Sequence, residues 1–497
     1  MRIIKKILQD KSNIIQTLWL AMSSLSSLAL TLISAAILSR YFLKEEYGTF
    51  KQITYVYNTL LIVFAAGLPK VFGYFLPRLN IEQGKDMVNR ITKFLLFFGF
   101  LFSLTLFFGS GLVAKLLNNE ELSFGLKIFS PIPFLLLPTL GLEGIFSTYK
   151  KTIYLLIYNV ISRFLMLLGI VLPVILLKNH YSYAIYGWII TSVILLIVAL
   201  YFKNIPFKNI ANERNKISNK EIFAYSLPLV GASIWGIAIR SADQFYISRY
   251  FGAEVFAEFS NGFIELPFVG MITGSVATVL LPMFSKSFHE KENVEEILTT
   301  WRSVIKKSSV IIYPLLIYCW FFAFYIINFL YGDKYVNSVG FFKIKLILNF
   351  FNILIFAPFF FSMGKTKLYA RVHMIVAIII WGGGYILLNL ISDPYLFASF
   401  IVFIEILKII TFSFIISQIL KVKLFRFFPI FLMLKLFVHG VLIAFVVKSI
   451  FNYLYFENIL INIFLSFTLF SIGVILTAPI FKIKYLEIIK VLLNKIK

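Results

Sequence analysis

Ionisable side chains inside long apolar segments are the residues of this sequence that could bind ions or charged ligands. A charge at membrane depth is costly unless it meets water, an opposite charge or a ligand. Arg163 has no acidic residue within one helical turn, which makes it the strongest candidate for binding an anion. Lys70 and Glu143 lie nearer to a segment end and are candidates for the mouth of a cavity. The full candidate set is Lys70, Glu143, Arg163, Arg240, Asp243, Glu265 and Lys345.

Two pairs of opposite charge have helical spacing. Arg240 and Asp243 are three residues apart, so they either neutralise each other or form a site for a substrate or a coupling cation. Glu405 and Lys408 repeat this spacing in a later apolar segment. For the later pair we favour a structural ion pair.

Motifs for enzymatic chemistry are missing. Gly364–Thr366 matches the last three residues of the phosphate-binding loop motif. The motif also requires a glycine five residues before Gly364, and that position is Phe359. His289 and Glu290 are not followed by the second histidine of a zinc protease helix, and the single cysteine, Cys319, excludes a disulfide framework. The sequence therefore predicts no enzyme, cofactor or metal, and transport would need an ion gradient, an ATPase partner or a downhill flow.

The elements that position these charges are membrane helices. Hydrophobic residues make up 60% of the 497 residues and charged residues only 14%, against about 25% in soluble domains. Apolar segments of about 20 residues, long enough to cross a bilayer, follow one another along the chain. We predict an all-α polytopic protein with about fourteen spans. They lie near 14–39, 52–77, 92–116, 124–148, 152–177, 182–202, 222–248, 257–283, 308–331, 337–362, 368–390, 395–419, 427–450 and 457–480.

The charge of the breaks between spans predicts their orientation. The formal net charge is +24, and the breaks alternate between basic ones, such as 78–93 and 203–220, and ones without Lys or Arg, such as 118–123 and 391–394. Basic loops stay in the cytoplasm. We therefore expect both termini, including the basic segment before residue 14, on the cytoplasmic side of the membrane. The excess positive charge is thus explained by the orientation of the spans and does not indicate nucleic-acid binding.

A short internal repeat divides the chain. Residues Leu38–Phe50 align without a gap with Ile247–Phe259, and six positions, including Ser-Arg-Tyr-Phe, are identical. A shift of six helices keeps the helix direction, so we expect two six-helix lobes related by a parallel pseudo-two-fold axis. The predicted divisions are a first lobe at 1–202, a cytoplasmic linker at 203–221, a second lobe at 222–420, and two extra helices with a basic cytoplasmic tail at 421–497.

The repeat and three further motifs resemble a known family. Ser39–Phe42 with Glu45–Gly48 resembles the R-x-L-G-x-E-x-Y-G signature of the polysaccharide flippases, although Leu43 replaces a common glycine. The further motifs are Tyr225–Pro228, Leu330–Tyr335 and Gly364–Lys367, together with Asp243. This family includes the Wzx O-antigen flippases and belongs to the superfamily of the multidrug and toxic compound extrusion (MATE) transporters and lipid II flippases.

The resemblance implies a MATE-like bundle that works by alternating access. Its substrate would be an undecaprenyl-diphosphate-linked oligosaccharide, such as an O-antigen repeat unit of lipopolysaccharide, moved from the inner to the outer leaflet. A polysaccharide polymerase and chain-length machinery would be partners, besides membrane lipids. The implied diphosphate contacts are Arg163, Arg240, Lys345 and, at the inner mouth, Lys70. The residues implied to balance charge or to couple H⁺ or Na⁺ are Asp243, Glu265 and Glu143.

Three alternatives stay open at this point. A cation-coupled drug antiporter of the same superfamily predicts a cavity dominated by acidic residues and lobes of matching size. A polysaccharide polymerase or ligase predicts catalytic residues on a large outer loop, whereas the outer breaks here are short. The third alternative is a channel or a structural protein. The internal repeat argues against it, because such a protein does not require two matching lobes.

Overall fold

The computed structural model describes residues 13–177, 180–290, 294–454, 456–483 and 485, and these residues form helices and no strand. This confirms the all-α prediction. The basic segment 1–12 and the tail 486–497, both predicted to be cytoplasmic, lie outside the described residues. The helices are α1 (Asn13–Tyr41), α2 (Lys44–Phe64), α3 (Leu68–Phe75), α4 (Ile81–Leu116), α5 (Glu121–Phe129), α6 (Pro131–Leu136), α7 (Leu142–Thr148), α8 (Thr152–Leu176), α9 (Tyr181–Asn204), α10 (Asn219–Gly262), α11 (Pro267–His289), α12 (Val294–Phe321), α13 (Ala323–Tyr331), α14 (Ser338–Phe351), α15 (Ala357–Ser362), α16 (Thr366–Leu390), α17 (Pro394–Leu420), α18 (Leu424–Phe427), α19 (Ile430–Tyr453) and α20 (Ile459–Thr477).

Many of these helices are long enough to span a bilayer, where the backbone must satisfy its own hydrogen bonds. Within the described residues, eleven helices have the length and apolar composition of a span, or thirteen if two bent helix pairs each count as one. The chain is therefore a multi-pass membrane protein. The predicted span 337–362 consists of the two short helices α14 and α15, so the number fourteen stays a prediction.

The second predicted span is broken. Ala66 and Gly67 have φ values of +49° and +68° between α2 and α3, and the two halves are bent by 44°. A Cβ on Gly67 would lie 2.4 Å from the backbone oxygen of Ser226. The bend therefore depends on glycine for both its backbone conformation and its contact with α10.

The chain packs into two compact units, Met1–Ala257 and Glu258–Lys497. In the first unit, α8 packs along α1 and α9, and α4 packs against α5 and α6. In the second unit, α12 packs against α19, and α17 packs against α14 and α16. The lobe boundaries near 202 and 222 stay predictions.

One kind of helix-ending turn occurs in both units. The backbone N–H of Lys151 donates to Phe146 O at 2.8 Å after Lys150 with φ +52°, and the N–H of Lys365 donates to Phe360 O at 2.8 Å after Gly364 with φ +68°. Each turn ends one helix and is followed by a 25-residue helix, α8 or α16.

The segment predicted as a linker, 203–221, is bound to α4. The Arg90 guanidinium donates to Ile217 O at 2.6 Å and to Asn215 Oδ1 at 2.5 Å. Asp86 accepts from Arg90 at 3.1 Å and from Asn215 Nδ2 at 2.7 Å. These bonds fix the segment on the first unit.

Candidate functional site

A cavity of about 650 Å³ lies inside the first unit. It is enclosed by α1, α2, α8, α9 and the chain from Leu136 to Glu143. Hydroxyl and amide groups alternate with apolar and aromatic side chains along its wall. The polar uncharged side chains that line it are Ser23, Ser24, Thr31, Ser34, Thr54, Asn58, Thr139, Asn159 and Ser162.

Arg163 reaches this cavity from α8. Asn159, Ser162, Arg163 and Met166 all line the cavity, and this spacing places them on one face of a helix. The guanidinium is close enough to the phenols of Tyr57 and Tyr158 to interact electrostatically. Within the described ranges it makes no hydrogen bond and no ion pair with protein, so it is available to a ligand.

Lys51 supplies a second cation that the sequence analysis did not place in the site. It lies on α2, where Tyr47, Lys51, Thr54 and Asn58 form a polar stripe that faces the cavity. Its ammonium lies 5.1 Å from the centroid of the Tyr47 ring, a cation–π contact. Among the residues described here, no carboxylate pairs with it. The i, i+4, i+7 spacing of this stripe is the sequence signal that could have identified it.

Glu143 is the acidic residue of the lining. It is the second residue of α7. Gly141, with a φ of +90°, precedes this helix and follows the turn at Leu137–Thr139. Pro138 lies in this turn and interrupts the helical backbone, as proline does elsewhere. With Lys51 and Arg163 positive and Glu143 negative, the described side chains that line the cavity carry a net charge of +1.

The other predicted residues of the first unit do not line this cavity. Lys70 is exposed on α3, just after the bend. Arg240 is exposed and Asp243 is 9% exposed on α10. Asp243 lies within electrostatic range of Tyr55, whose hydroxyl donates to Ser241 O at 3.1 Å.

Two predicted residues belong to the second unit. The Lys345 ammonium lies 4.4 Å from the centroid of the Phe263 ring. Glu265 is exposed in the non-helical segment between α10 and α11. The pair on α17 is an ion pair, with Lys408 Nζ 2.5 Å from Glu405 Oε2.

The arrangement in the first unit can bind an anion that also carries hydroxyl groups. Two cations that form no ion pair with the described residues attract negative charge, and the amides and hydroxyls can exchange hydrogen bonds with a polyol. In the part of the chain that the structure describes, no group of His, Cys, Asp and Glu has the arrangement of a metal site.

Comparisons with solved structures define the fold. A lipid II flippase MurJ in an inward closed conformation superposes with a TM-score of 0.71 at 15% identity, over 94% of this chain and 99% of MurJ. An inward-facing multidrug resistance MATE family transporter of the MOP superfamily gives 0.64 at 12% identity, over 80% and 98%. A MOP superfamily transporter from Pyrococcus furiosus, described by a reversed polarity of its binding pocket, gives 0.58 at 13% identity, over 84% and 97%.

Sequence comparison identifies the family. No curated protein matches the sequence at a significant level. A family model described as polysaccharide biosynthesis protein matches residues 37–340, which is more than half of the 497 residues. The chain therefore belongs to the polysaccharide biosynthesis protein family and has the fold of the MurJ and MATE transporters.

Proposed function

We propose that this protein is a flippase for an undecaprenyl-diphosphate-linked oligosaccharide. It moves the repeat unit of a surface polysaccharide from the inner to the outer leaflet of the bacterial inner membrane by alternating access. The observation that carries the proposal is the pair of cations, Lys51 and Arg163, that face a polar cavity and whose charged groups make no ion pair or hydrogen bond with the described residues. The membership of the chain in a polysaccharide biosynthesis family supports it.

The chemistry of the substrate fits this cavity. Arg163 can form charge-assisted, bidentate hydrogen bonds with a phosphate, and Lys51 can add a point charge. These bonds would offset the cost of holding both cations inside a membrane protein. Asn58 and the hydroxyls of the wall would contact the first sugar, while the lipid tail stays in the bilayer.

Of the remaining predicted residues, Glu143 lies in this cavity, and the others are proposed to act outside it. Arg240, Lys345 and Lys70 would contact the diphosphate along its path. Asp243, Glu265 and Glu143 would balance charge or couple H⁺ or Na⁺. A polysaccharide polymerase and chain-length machinery would receive the product.

A drug antiporter of the same fold is the second candidate. Such a transporter would need a predominantly acidic cavity for its cationic substrates, whereas two cations and one carboxylate line this one. The Pyrococcus furiosus transporter is described by a reversed polarity of its binding pocket that suggests a different function. The polarity of the cavity thus favours the flippase.

The test is translocation of a lipid-diphosphate-linked glycan in proteoliposomes. The wild type should move the glycan, and protein-free vesicles should not. Arg163→Ala combined with Arg240→Ala, and separately Lys51→Met, should abolish or strongly reduce the movement. Lys448→Met is the matched control, because its ammonium also lies over a tyrosine ring, 4.9 Å from the centroid of Tyr325, but outside the cavity. If cationic dyes move under a Na⁺ or H⁺ gradient while the glycan does not, the antiporter replaces the flippase.

A further inference from the structure

Lys203, in the last turn of α9, is a buried lysine. Its side chain is 2% exposed, although a lysine at the end of a membrane helix ordinarily extends to water or to lipid head groups. Lys421, which follows α17 in the second unit, is exposed in this ordinary way. Among the residues that the structure describes, no carboxylate pairs with Lys203. A buried ammonium without a counter-ion is costly, so it needs a compensating interaction.

The compensating interaction is with the wall of the first cavity. Lys203 Nζ donates to Pro138 O at 2.6 Å, and to Thr92 Oγ1 on α4 at 3.2 Å. Pro138 lies in the turn Leu137–Thr139, where the helical backbone is interrupted, and a carbonyl at such a break needs a donor from elsewhere. This turn also packs against α4 and α9. Lys203 does not line the cavity itself, so it anchors the wall from outside.

A second contact anchors the same segment three residues later. A Cβ on Gly141 would lie 2.3 Å from Cε2 of Phe72 on α3. The Lys203 ammonium lies 5.5 Å from the centroid of the same Phe72 ring. The two anchors therefore meet at Phe72 and hold both ends of the short stretch from Pro138 to Gly141. This stretch continues directly into Glu143, in the first turn of α7.

The position of Glu143 matters for the charge of the cavity. Glu143 lines the same cavity as Lys51 and Arg163, yet in the part of the chain that the structure describes it forms no ion pair with either. Opposite charges attract strongly where water is scarce. An ion pair with Glu143 would neutralise one of the two cations and leave less positive charge for an anion. A wall that holds the carboxylate in place therefore keeps both cations available.

We propose that Lys203 is a positioning residue of the first cavity. By fixing the turn at Pro138 it holds Glu143 away from Lys51 and Arg163, and so preserves the affinity of the cavity for an anion. Lys203 does not touch the anion. The proposal rests on the proposed function in one respect, namely that the anion is the diphosphate of a glycolipid.

A double-mutant cycle without ligand, on the purified full-length protein in detergent, tests the position of Glu143. Lys203→Met removes the donor at a nearly unchanged side-chain length, which releases the wall and lets Glu143 approach the cations. In this background Glu143→Gln should lower the thermal unfolding midpoint by about 2 °C or more, because it removes the new ion pair. In the wild-type background the same substitution should not lower the midpoint.

The sign of this coupling decides between two roles of Lys203. If Lys203 and Glu143 only attracted each other directly, removing Lys203 would make Glu143→Gln less unfavourable. Coupling of that sign, or no coupling, would contradict the proposal. If Lys203→Met does not fold, Lys203→Gln, which keeps an N–H donor on a shorter side chain, should show the proposed sign with a smaller size.

Thr92→Val is the matched control. It removes the second hydrogen bond of Lys203 and leaves the bond to Pro138 O in place. In this background Glu143→Gln should therefore behave as it does in the wild type. If Thr92→Val changes the coupling as much as Lys203→Met does, the bond to Pro138 O is not the anchor.

Binding of inorganic pyrophosphate, measured by isothermal titration calorimetry, tests the consequence for an anion. Lys203→Met should weaken binding by about tenfold, because Glu143 then competes for the cations. The double variant Lys203→Met with Glu143→Gln should bind as tightly as Glu143→Gln alone, and Thr92→Val should bind like the wild type. Additive effects of the two substitutions would mean that Lys203 contributes only its charge, and the proposal would be wrong. If the wild type does not bind pyrophosphate, the anion site of the proposed function fails, whereas the cycle without ligand still decides the role of Lys203.

Discussion

The two units contain cavities of similar size and opposite character. The cavity of the second unit measures about 780 Å³ and is enclosed by α12, α14, α17 and α19 with the chain before α19. Among the described residues that line it, Tyr313, Trp320 and Ser413 are the ones whose side chains carry a polar atom. Two of these are already bonded, since the Tyr313 hydroxyl donates to Phe350 O and the Ser413 hydroxyl to Ile409 O. This cavity can hold hydrocarbon, whereas the cavity of the first unit can hold an anion.

This difference suggests how one fold handles a substrate with a charged and an apolar part. Lys51 and Arg163 are retained in the first unit at a cost in stability. No equivalent charge lines the second cavity. On the proposed function, the selectivity for the diphosphate should therefore be located in the first unit, and the following substitutions test this.

The largest effect is expected from removing both cations of the first cavity. A hydrogen bond to a charged group contributes about 1.5–3 kcal/mol, so Lys51→Met with Arg163→Met should slow glycolipid translocation by about a hundredfold or more. The measurement is the initial rate in proteoliposomes. Folding should persist, because the substitutions remove uncompensated charge, and the thermal unfolding midpoint should not fall. A normal rate in the double variant would contradict the role of this cavity.

The same new charge in each cavity should have different effects on stability. Ser413→Asp places a carboxylate among apolar side chains, which should cost about 2.5–3.5 kcal/mol, as for a charge at the centre of a membrane helix. Ser162→Asp places it next to Arg163 and in the cavity that contains Lys51, so the loss should be much smaller. Unfolding in detergent, followed by Trp fluorescence, measures both. Equal losses would show that the two cavities do not differ in polarity.

Helix contacts behind the cavities should differ as well. A Cβ on Gly169 of α8 would lie 1.8 Å from Thr191 Oγ1, whereas a Cβ on Gly382 of α16 would have no atom within 4 Å. Gly169→Ala should therefore separate α8 from α9 and cost about 1–3 kcal/mol. Gly382→Ala should be neutral or stabilise by about 0.5–1 kcal/mol, because glycine disfavours a helix. Thermal unfolding in detergent distinguishes the two, and similar midpoints would argue against a close α8–α9 contact.

The helices with unbroken apolar segments could be predicted from the sequence. The bounds of α8, α16 and α17 lie within two residues of the prediction, because about 20 apolar residues are sufficient to define a span. The extensions of α4 and α12 were missed, since their first turns are charged and carry no membrane signal.

The candidate site could be predicted only in part. The sequence identified Arg163 and Glu143 as intramembrane charges, and the structure brings both to one cavity. Lys51 lies one residue before the predicted span 52–77, because Lys44–Glu46 and Lys51 lower the apolar character of the first half of α2. The position of a charge within an apolar segment gives its depth in the membrane. It does not show which way the helix is rotated about its axis, and so not whether the charge faces the cavity. For that reason Lys70 and Arg240 could not be distinguished from the cavity residues.

The smallest effect is expected at Asn58. This amide lines the first cavity and has no protein hydrogen bond among the described residues, so it is available to a sugar hydroxyl. Asn58→Leu gives this wall one apolar side chain of the kind that lines the second cavity. Because the substitution removes one hydrogen bond, which contributes about 0.5–1.5 kcal/mol, it should slow translocation about threefold to tenfold. Stability should stay unchanged. Asn159→Leu is the comparison, because Asn159 Nδ2 donates to Ser23 Oγ at 2.6 Å, and its loss should lower the unfolding midpoint as well. If Asn58→Leu lowers stability without slowing translocation, the amide supports the helix packing and does not contact the glycan.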